Sequence, residues 1–425
     1  MRRFAVALLL ATPAAGQAAL PNPAAAHTTL PDPAAGQTAL PDPAAAEQAL
    51  DSHPVVAAAQ ARSKAARADA RALAAGPHEF IASGSVYQRR VDREGDYAEY
   101  DASLTRAIRL PGKAPLDRKA GEAGIRYADN MAEDARHQVA VMLNDHWWDW
   151  VGAAGERAVL DQAVATLEAT ADAVRRRVAL RDAAALEADQ AEAAFAQAKS
   201  AARSAAGREA AARAALAAQF PGLALPVRPP RPPAPALPPE GLETLGALLV
   251  SRSHEIWAAT AHAEQAALLA KRARRDRLAD PSVGIRGFSE RNGAERGLGL
   301  LVSMPLGGGN RRAIADRAGA MAAAAEAQAV SVRHDINALA GRNTATAAAA
   351  YAAWQDAERA AVASRSAAAR ASRGHALGGL DIADRLYAQR LAQEAALAEA
   401  VSRTDAWRAI SRLQIDSHTL WMHAD

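Results

Sequence analysis

The sequence contains no cysteine, and aromatic residues make up only 4% of its 425 positions. The lack of cysteine excludes disulfide bridges, thiolate metal sites and a lipid anchor on an N-terminal cysteine. Apolar residues still make up 50% of the chain, dominated by alanine, which favours helices packed at close range over a deep core. The net charge is only +3, and no run of Lys and Arg is interleaved with aromatic residues, so we expect no nucleic-acid partner.

Proline is missing between Pro115 and Pro221 and again after Pro305. Because proline is excluded from helix interiors, both gaps leave room for very long helices. Each gap is expected to hold two antiparallel helices of about fifty residues, about 75 Å long. Apolar residues in the first gap follow the alternating four-and-three spacing of a coiled-coil seam: Leu160, Val164, Leu167, Ala171, Val174 and Val178.

Two positions suit the reversals between these helices. The first is Arg181-Asp182, at the end of the seam. The second is Gly378-Gly379, where the missing side chains permit a tight turn. We predict that these are the tips of the long helices.

Two segments show the two-residue alternation of β-strands instead. In the first, Tyr100, Leu104 and Ile108 share an apolar face, whereas Asp101 and Ser103 lie on a polar one. A polar turn between two such runs predicts a β-hairpin in each segment. The strands are expected at about 78–90, 97–110, 281–290 and 296–305.

The chain also carries an internal echo. Ser52-His53 precedes the first hairpin by one short helix, and Ser253-His254 precedes the second, 201 residues later. Serine is a suitable N-cap, so we read both histidines as parts of helix starts. His254-Glu255 is not a zinc-protease motif, because position 258 is alanine rather than histidine. The echo predicts a duplication, with repeats at 50–220 and 240–425 joined by a proline-rich linker at 221–239.

The first 49 residues differ from the rest. Residues 1–19 are expected to be a signal peptide, because Arg2-Arg3 precedes an apolar run and small residues. Residues 20–49 repeat every ten positions around paired prolines, which predicts an extended tether. No later run reaches about 18 apolar residues, so no spanning helix is predicted.

No catalytic, cofactor-binding or metal-binding constellation emerges from the sequence. Trp147, Trp148 and Trp150 are interpreted as packing residues, because they follow a helical face. Gly307-Gly308-Gly309 lacks the Lys-Ser/Thr of a phosphate loop. We therefore expect no cofactor and no enzymatic activity.

The strands point to a membrane and to an oligomer. They have about ten residues each, the length that crosses an outer membrane when tilted. Four strands cannot close a barrel, and open edges are not tolerated in lipid. Three chains would supply twelve strands, an even number within the observed range.

That arrangement resembles the TolC-like outer-membrane efflux family, over about residues 50–420. The resemblance rests on the duplicated Ser-His starts, on the strand ends at Pro111-Gly112-Lys113 and Met304-Pro305-Leu306, and on the tips. The family's tip pattern is a glycine, an acidic residue six positions on and an alanine four further. The pattern matches Gly378, Asp384 and Ala388, and in the first half Arg181, Glu187 and Ala191, where arginine replaces the glycine.

The resemblance implies a mainly α fold with a small β part. Long antiparallel coiled-coil helices would form a periplasmic α-barrel, and two β-hairpins per chain would contribute to a trimeric 12-stranded transmembrane β-barrel. A homotrimer in the bacterial outer membrane, working with a periplasmic adaptor and an inner-membrane pump, is the implied assembly. The segment Ile108–Lys113 looks most like the heavy-metal-efflux branch.

The resemblance also implies site residues. Asp384 and Glu187 would line a periplasmic aperture, with Tyr387 at the family's second acidic position and Arg385 or Arg181 nearest in sequence to pair the carboxylates. Tyr100, Leu104 and Ile108 would face lipid. Two other functions stay open: the outer component of a type I protein secretion system, and a periplasmic coiled-coil scaffold that forms no channel.

Overall fold

The computed structural model describes residues 39–422. Within them the chain is mainly helical, with one small antiparallel sheet made of two hairpins. The predicted class, long antiparallel helices with a small β part, is confirmed. The elements are α1 (Pro43–Asp51), α2 (Pro54–Ala75), β1 (Phe80–Val91), β2 (Gly95–Ala107), α3 (Ala114–Ala179), α4 (Ala185–Gln219), α5 (Leu242–Ser251), α6 (His254–Arg275), β3 (Ser282–Glu290), β4 (Glu295–Ser303), α7 (Gly309–Ala376) and α8 (Ile382–Asp416).

The elements occur twice in the same order, with nearly matching helix lengths. Helices α2 and α6 each have 22 residues, α3 and α7 have 66 and 68, and α4 and α8 each have 35. The expected length of about fifty residues for every long helix is wrong. Helix α3 continues unbroken from the first hairpin to the tip, about 100 Å at 1.5 Å per residue. The returning helix α4 ends at Gln219, because the residue before Pro221 is disfavoured in the helical region.

Helix α1 corrects the predicted tether at 20–49. Residues 20–38 lie outside the described part of the chain, but residues 43–49 belong to a helix rather than to a polyproline segment. Pro43 fits the first turn, where a helix needs no N–H, and the Asp42 carboxylate accepts a hydrogen bond from the Ala45 N–H at 3.0 Å. Ala46 and Leu50 are then fully buried in the main core. The packed part of the chain therefore begins before residue 50.

The two echoed helix starts use different caps. The Ser253 hydroxyl accepts from the Ile256 N–H at 3.1 Å and caps α6 as predicted. Helix α2 is capped by the His53 Nδ1, which accepts from the Val55 N–H at 3.3 Å. Ser52 was the expected cap, but its hydroxyl donates back to the Gln48 carbonyl at 2.8 Å and so closes α1.

Large side chains are concentrated in one core near the middle of α3. Trp147, Trp148 and Trp150 are all buried there, which confirms their packing role. The Trp148 indole N–H lies 2.9 Å from the Ser411 hydroxyl of α8 and 3.1 Å from the Asn144 side chain. Towards the tips the contacts become small, with alanines of α4 against the predicted seam of α3. None of the helices between residues 39 and 422 has both the length and the hydropathy required to cross a membrane.

The four strands form one sheet in the order β1-β2-β3-β4. Within the described chain, β1 and β4 are the two edges, each paired on one side alone. Strand β2 ends at Ala107, so Ile108 lies beyond the strand in which it was predicted. Its N–H donates to the Pro281 carbonyl at 2.8 Å, which holds the chain beside the start of β3.

The segment between α4 and α5 is extended and lies along α8. Pro232, Pro235 and Pro238 are buried while their neighbours are exposed, which is the three-residue period of a polyproline helix. The Arg403 guanidinium donates to the Pro232 carbonyl at 3.1 Å, and the Trp407 indole N–H donates to the Pro233 carbonyl at 3.0 Å. This proline segment is therefore fixed to the surface of the last helix.

Candidate functional site

The first tip joins α3 to α4 and is held by one arginine. Arg181 has a φ of 61°, the left-handed conformation that reverses the chain. The Arg177 guanidinium donates to the Asp182 carboxylate and to the Asp182 carbonyl, both at 3.0 Å. It also lies 3.7 Å from the Glu187 carboxylate. The predicted aperture residue Glu187 is thus half-buried and paired with a cation.

The second tip joins α7 to α8 through glycine. Gly378 has a φ of 77°, which a glycine adopts without strain, and Gly379 follows it. The Asp381 carboxylate caps α8 by accepting from the Asp384 N–H at 2.8 Å. The Asp384 side chain is exposed, and the described residues supply no hydrogen bond or ion pair to its carboxylate.

The two tips are in contact with each other. Ile382 of α8 is buried in an apolar cluster with Val174 of α3 and Ala191 of α4. The Arg177 guanidinium also reaches the His375 ring of α7, with nitrogens 3.5 Å apart. The fold therefore brings Glu187 and Asp384 to the same end of the helices, as the spacing of the tip pattern requires.

The other predicted tip residues lie close by, with different contacts. Arg385 was expected to pair with the carboxylates, but its guanidinium donates to the Thr170 hydroxyl at 3.0 Å. Burial lowers the pKa of Arg385 below its usual value. Tyr387 is exposed, and the Arg390 guanidinium lies over its ring at 5.5 Å.

Sequence reasoning missed Arg177, the residue that organises the first tip. The sequence did contain a signal for this role. Arg177 lies in the last turn of α3, where a cation is stabilised by the negative end of the helix dipole. The tip pattern includes the turn residue and positions after it, but none before it. Its contacts to Asp182 and Glu187 are visible only when the reversal has been built.

The sheet has one apolar face along its whole width. Paired residues in an antiparallel sheet project to the same side, and the register places Leu104 between Ala82 and Ile285, with Leu300 beyond. These side chains are exposed, and Leu300 is 86% exposed. We call this set the apolar face: Phe80, Ala82, Gly84, Val86, Tyr100, Ala102, Leu104, Val283, Ile285, Gly287, Leu298, Leu300 and Val302.

The opposite face carries most of the charges of the sheet. The Arg89 guanidinium lies 2.7 Å from the buried Glu99 carboxylate, and Arg286 pairs with Asp101 on the neighbouring strand. Arg106 is a cation on the side of the apolar face, and Arg90, Asp96 and Arg296 lie on that side nearer the hairpin turns. Arg106 lies at the helix end of the sheet, where its guanidinium donates to the His78 carbonyl at 2.9 Å.

A buried charge network joins the sheet to the helices. The Lys113 ammonium is 1% exposed as a residue and lies 2.7 Å from the Asp280 carboxylate and 2.9 Å from that of Asp276. Asp280 also accepts from the Leu110 N–H at 2.9 Å and lies 3.2 Å from the His78 ring. Burial opposes the charge of Asp280, but these partners, above all Lys113, lower its pKa to about 2.

No family profile matches the sequence, and no curated protein does. Solved structures of outer-membrane proteins do match. The chain shares 19% identity with the outer membrane protein VceC of Vibrio cholerae, with a TM-score of 0.72 over 88% of this chain and 95% of that one. The MtrE outer membrane channel of Neisseria gonorrhoeae gives 18% identity and a TM-score of 0.69 over 89% and 90% of the two chains.

The chain is also similar to CusC, whose structures concern the conformational changes that accompany folding and transmembrane channel formation. It gives 16% identity and a TM-score of 0.64 over 88% of this chain and 91% of that one. Each match covers at least 88% of this chain and therefore includes both repeats. The chain therefore has the fold of these outer-membrane channels, and the TolC-like fold implied by the resemblance is confirmed.

Proposed function

We propose that the protein is the outer-membrane exit duct of an efflux system and works as a homotrimer. One observation carries the proposal: an exposed apolar face covers one side of a sheet that also has two open edges. Exposing the thirteen positions of the apolar face to water is unfavourable, whereas exposing them to lipid is favourable. The shared fold with outer-membrane channels supports the same conclusion.

The dimensions of the apolar face suit an outer membrane. From Phe80 to Val86 it rises by about 20 Å at 3.3 Å per residue, close to the band of about 25 Å on transmembrane barrels. Phe80 lies towards the helix end and Tyr100 towards the hairpin turns, and aromatic residues are typical of both interfaces. The polar face would then line the lumen. Ile108, although beyond the strand, would lie at the periplasmic interface.

The open edges support the trimer. Neither β1 nor β4 has a second partner within the described chain, and an unpaired edge is costly in lipid because its backbone groups are unsatisfied. Pairing β4 of one chain with β1 of the next removes every edge. Three chains then give a barrel of about twelve strands.

The tips would form the periplasmic aperture. A trimer brings three copies of Asp384 around one axis, with Glu187 and Tyr387 nearby and Arg385 behind them. Rings of carboxylates favour cations. In this proposal the duct is passive. A periplasmic adaptor connects it to an inner-membrane pump, which supplies the energy. The segment Ile108–Lys113 favours the heavy-metal-efflux branch.

The proposal is tested by placing a charge on each face of the sheet. Leu104→Arg puts a cation at the middle of the apolar face, where it should cost about 2–4 kcal/mol in lipid. Trimer yield in outer-membrane fractions should fall several-fold. Ser85→Arg is the matched control, because it places the same side chain on the polar face opposite Asp101, where it should be tolerated.

Equal yields of the two variants would mean that the apolar face does not meet lipid. The mass of the detergent-extracted protein is the independent check on assembly. A stable monomer, with the sheet edges unpaired, would remove the shared barrel.

A further inference from the structure

A second cluster of side chains, remote from the tips and the sheet, brings two residues of α3 together with one of α6. Asp134 and His137 lie one turn apart on α3, and Glu255 lies in the first turn of α6. One ligand atom from each lies within 4.8 Å of the other two. No metal site was predicted here from the sequence, because His137 and Glu255 are far apart in the chain and meet only when α6 packs on α3.

The orientation of the imidazole is fixed by a second carboxylate. The His137 Nε2 lies 2.9 Å from the Asp416 carboxylate of α8, whose side chain is fully buried. Asp416 is itself held by the Asn343 amide at 2.7 Å and by the Arg412 guanidinium at 2.9 Å. A carboxylate on one ring nitrogen sets the tautomer and raises the basicity of the other, an arrangement typical of metal-binding histidines.

The other ring nitrogen faces the Glu255 carboxylate. The His137 Nδ1 lies 3.6 Å from the Glu255 carboxylate, close to the separation of about 3.4 Å between two ligands of a tetrahedral zinc ion. Burial and the adjacent Glu255 charge raise the pKa of Asp134. Two acidic groups are thus held together beside a directed nitrogen, and a cation between them relieves their repulsion.

The imidazole of His137 can also carry a proton between these carboxylates. Burial disfavours a charged imidazole, but the hydrogen bonds to Asp416 and Glu255, with their charges, raise the pKa of His137 to about 9. Burial opposes the charge of Glu255, but hydrogen bonds from His137 and from the Ser253 hydroxyl lower the pKa of Glu255 to about 2.

We infer that Asp134, His137 and Glu255 form a binding site for a divalent transition-metal cation, which cross-links α3 to α6. One nitrogen and two carboxylate oxygens suit Zn²⁺, whereas Mg²⁺ and Ca²⁺ prefer all-oxygen sites. Water would complete the coordination. The bound ion would join the first repeat to the start of the second and, through Asp416, to α8.

The test uses the untagged full-length protein in detergent, stripped with a chelator, at pH 7.5. Titration with Zn²⁺ in a calorimeter should show one site per chain, and the melting temperature should rise on binding. Glu255→Gln and Asp134→Asn should each weaken binding at least tenfold and abolish the rise. His262→Gln removes an exposed histidine of α6, the helix that carries Glu255, and should change neither the Zn²⁺ affinity nor the rise in melting temperature.

A cooperative melting transition of each metal-free variant will show that the variant is folded. If Glu255→Gln does not fold, the Zn²⁺ affinity of Asp134→Asn decides the test. Equal Zn²⁺ affinity in wild type, Glu255→Gln and Asp134→Asn would overturn the site. So would the absence of any Zn²⁺ binding by wild type, or an equal affinity for Mg²⁺. The cluster would then be a buried ion network occupied by the proton alone. None of these results depends on whether the chain forms a duct.

Discussion

The two repeats have nearly the same helix lengths but different chemistry at corresponding turns. The first tip places Arg181 in the left-handed conformation, and the second places Gly378 there. A side chain in that region costs roughly 1 kcal/mol relative to glycine. The first tip offsets this cost with the contacts of Arg177, whereas the second needs no such contacts. One backbone reversal is thus obtained either from ionic contacts or from the absence of a side chain.

The junctions with the sheet show the same divergence. His78 lies just before β1 and Asp280 just before β3, and the two side chains meet with atoms 3.2 Å apart. The two repeats therefore carry an imidazole and a carboxylate at nearly equivalent positions, and these two groups contact each other. The two repeats therefore agree in helix length but differ in residue type at this pair of positions.

The largest expected effect comes from breaking the junction in the second repeat. Asp280→Asn removes the charged acceptor of Lys113 and should lower the free energy of unfolding by about 2 kcal/mol, as for hydrogen bonds to charged groups. Asp316→Asn breaks an exposed pair with Arg277 and should cost less than about 0.5 kcal/mol. Denaturant unfolding in detergent measures both. Equal costs would show that the burial of Lys113 is unimportant.

The same residue predicts a dependence on acid. The folded-state pKa of Asp280, about 2, lies below its unfolded value. Its stabilising contribution is therefore complete above about pH 4 and is lost as the pH falls towards 2. The melting temperature of wild type should fall more steeply over that interval than that of Asp280→Asn. Parallel curves for the two proteins would contradict the assignment.

Exchanging the tip residues tests the comparison directly. Arg181→Gly relieves the left-handed arginine and should raise the free energy of unfolding by up to about 1 kcal/mol, while Gly378→Arg should lower it by about 1 kcal/mol. The two substitutions have opposite signs because both positions are left-handed, and one substitution removes a side chain there while the other adds one. Thermal melting of both variants and of the double exchange is the measurement. A loss of stability in Arg181→Gly would mean that the arginine side chain makes a necessary contact.

A smaller effect is expected from the cation that holds the first tip. Arg177→Gln removes the pairing with Asp182 and Glu187 at a partly exposed site and should cost about 0.5 kcal/mol. Hydrogen exchange should increase at residues 180–187 and stay unchanged at residues 377–384. Equal increases at both tips would show that the tips open together through the contact between Arg177 and His375.

The smallest effect on stability, but a clear one on transport, is expected from Asp384→Lys. Its carboxylate has no hydrogen bond or ion pair within the described residues, so the melting temperature should hardly change. Single-channel recordings should show a weaker preference for cations. Asp405→Lys, an exposed substitution on the same helix, is the control and should leave selectivity as in wild type. Unchanged selectivity in Asp384→Lys would remove the aperture role and leave the duct.

The sequence predicted those parts of the fold that depend on local pattern. The missing prolines indicated the long helices, and the alternation at Tyr100 and Leu104 indicated the exposed face of β2. Contacts between distant residues could not be read in this way. Arg177 and the Asp134–His137–Glu255 cluster depend on how helices are placed side by side, and alanine-rich seams carry little information about register. The start of α1 was missed because a proline that favours an extended chain is equally suited to a first helical turn.

The proline segment has a consequence for the order of synthesis. Its carbonyls at Pro232 and Pro233 are contacted by residues 171 and 174 positions later in the chain. While the ribosome is still making the second repeat, those donors do not exist. Until α8 is present, the stiffness of the proline rings is what favours the extended shape of the segment. Because its residues are restricted beforehand, little conformational entropy remains to be lost when the last helix docks.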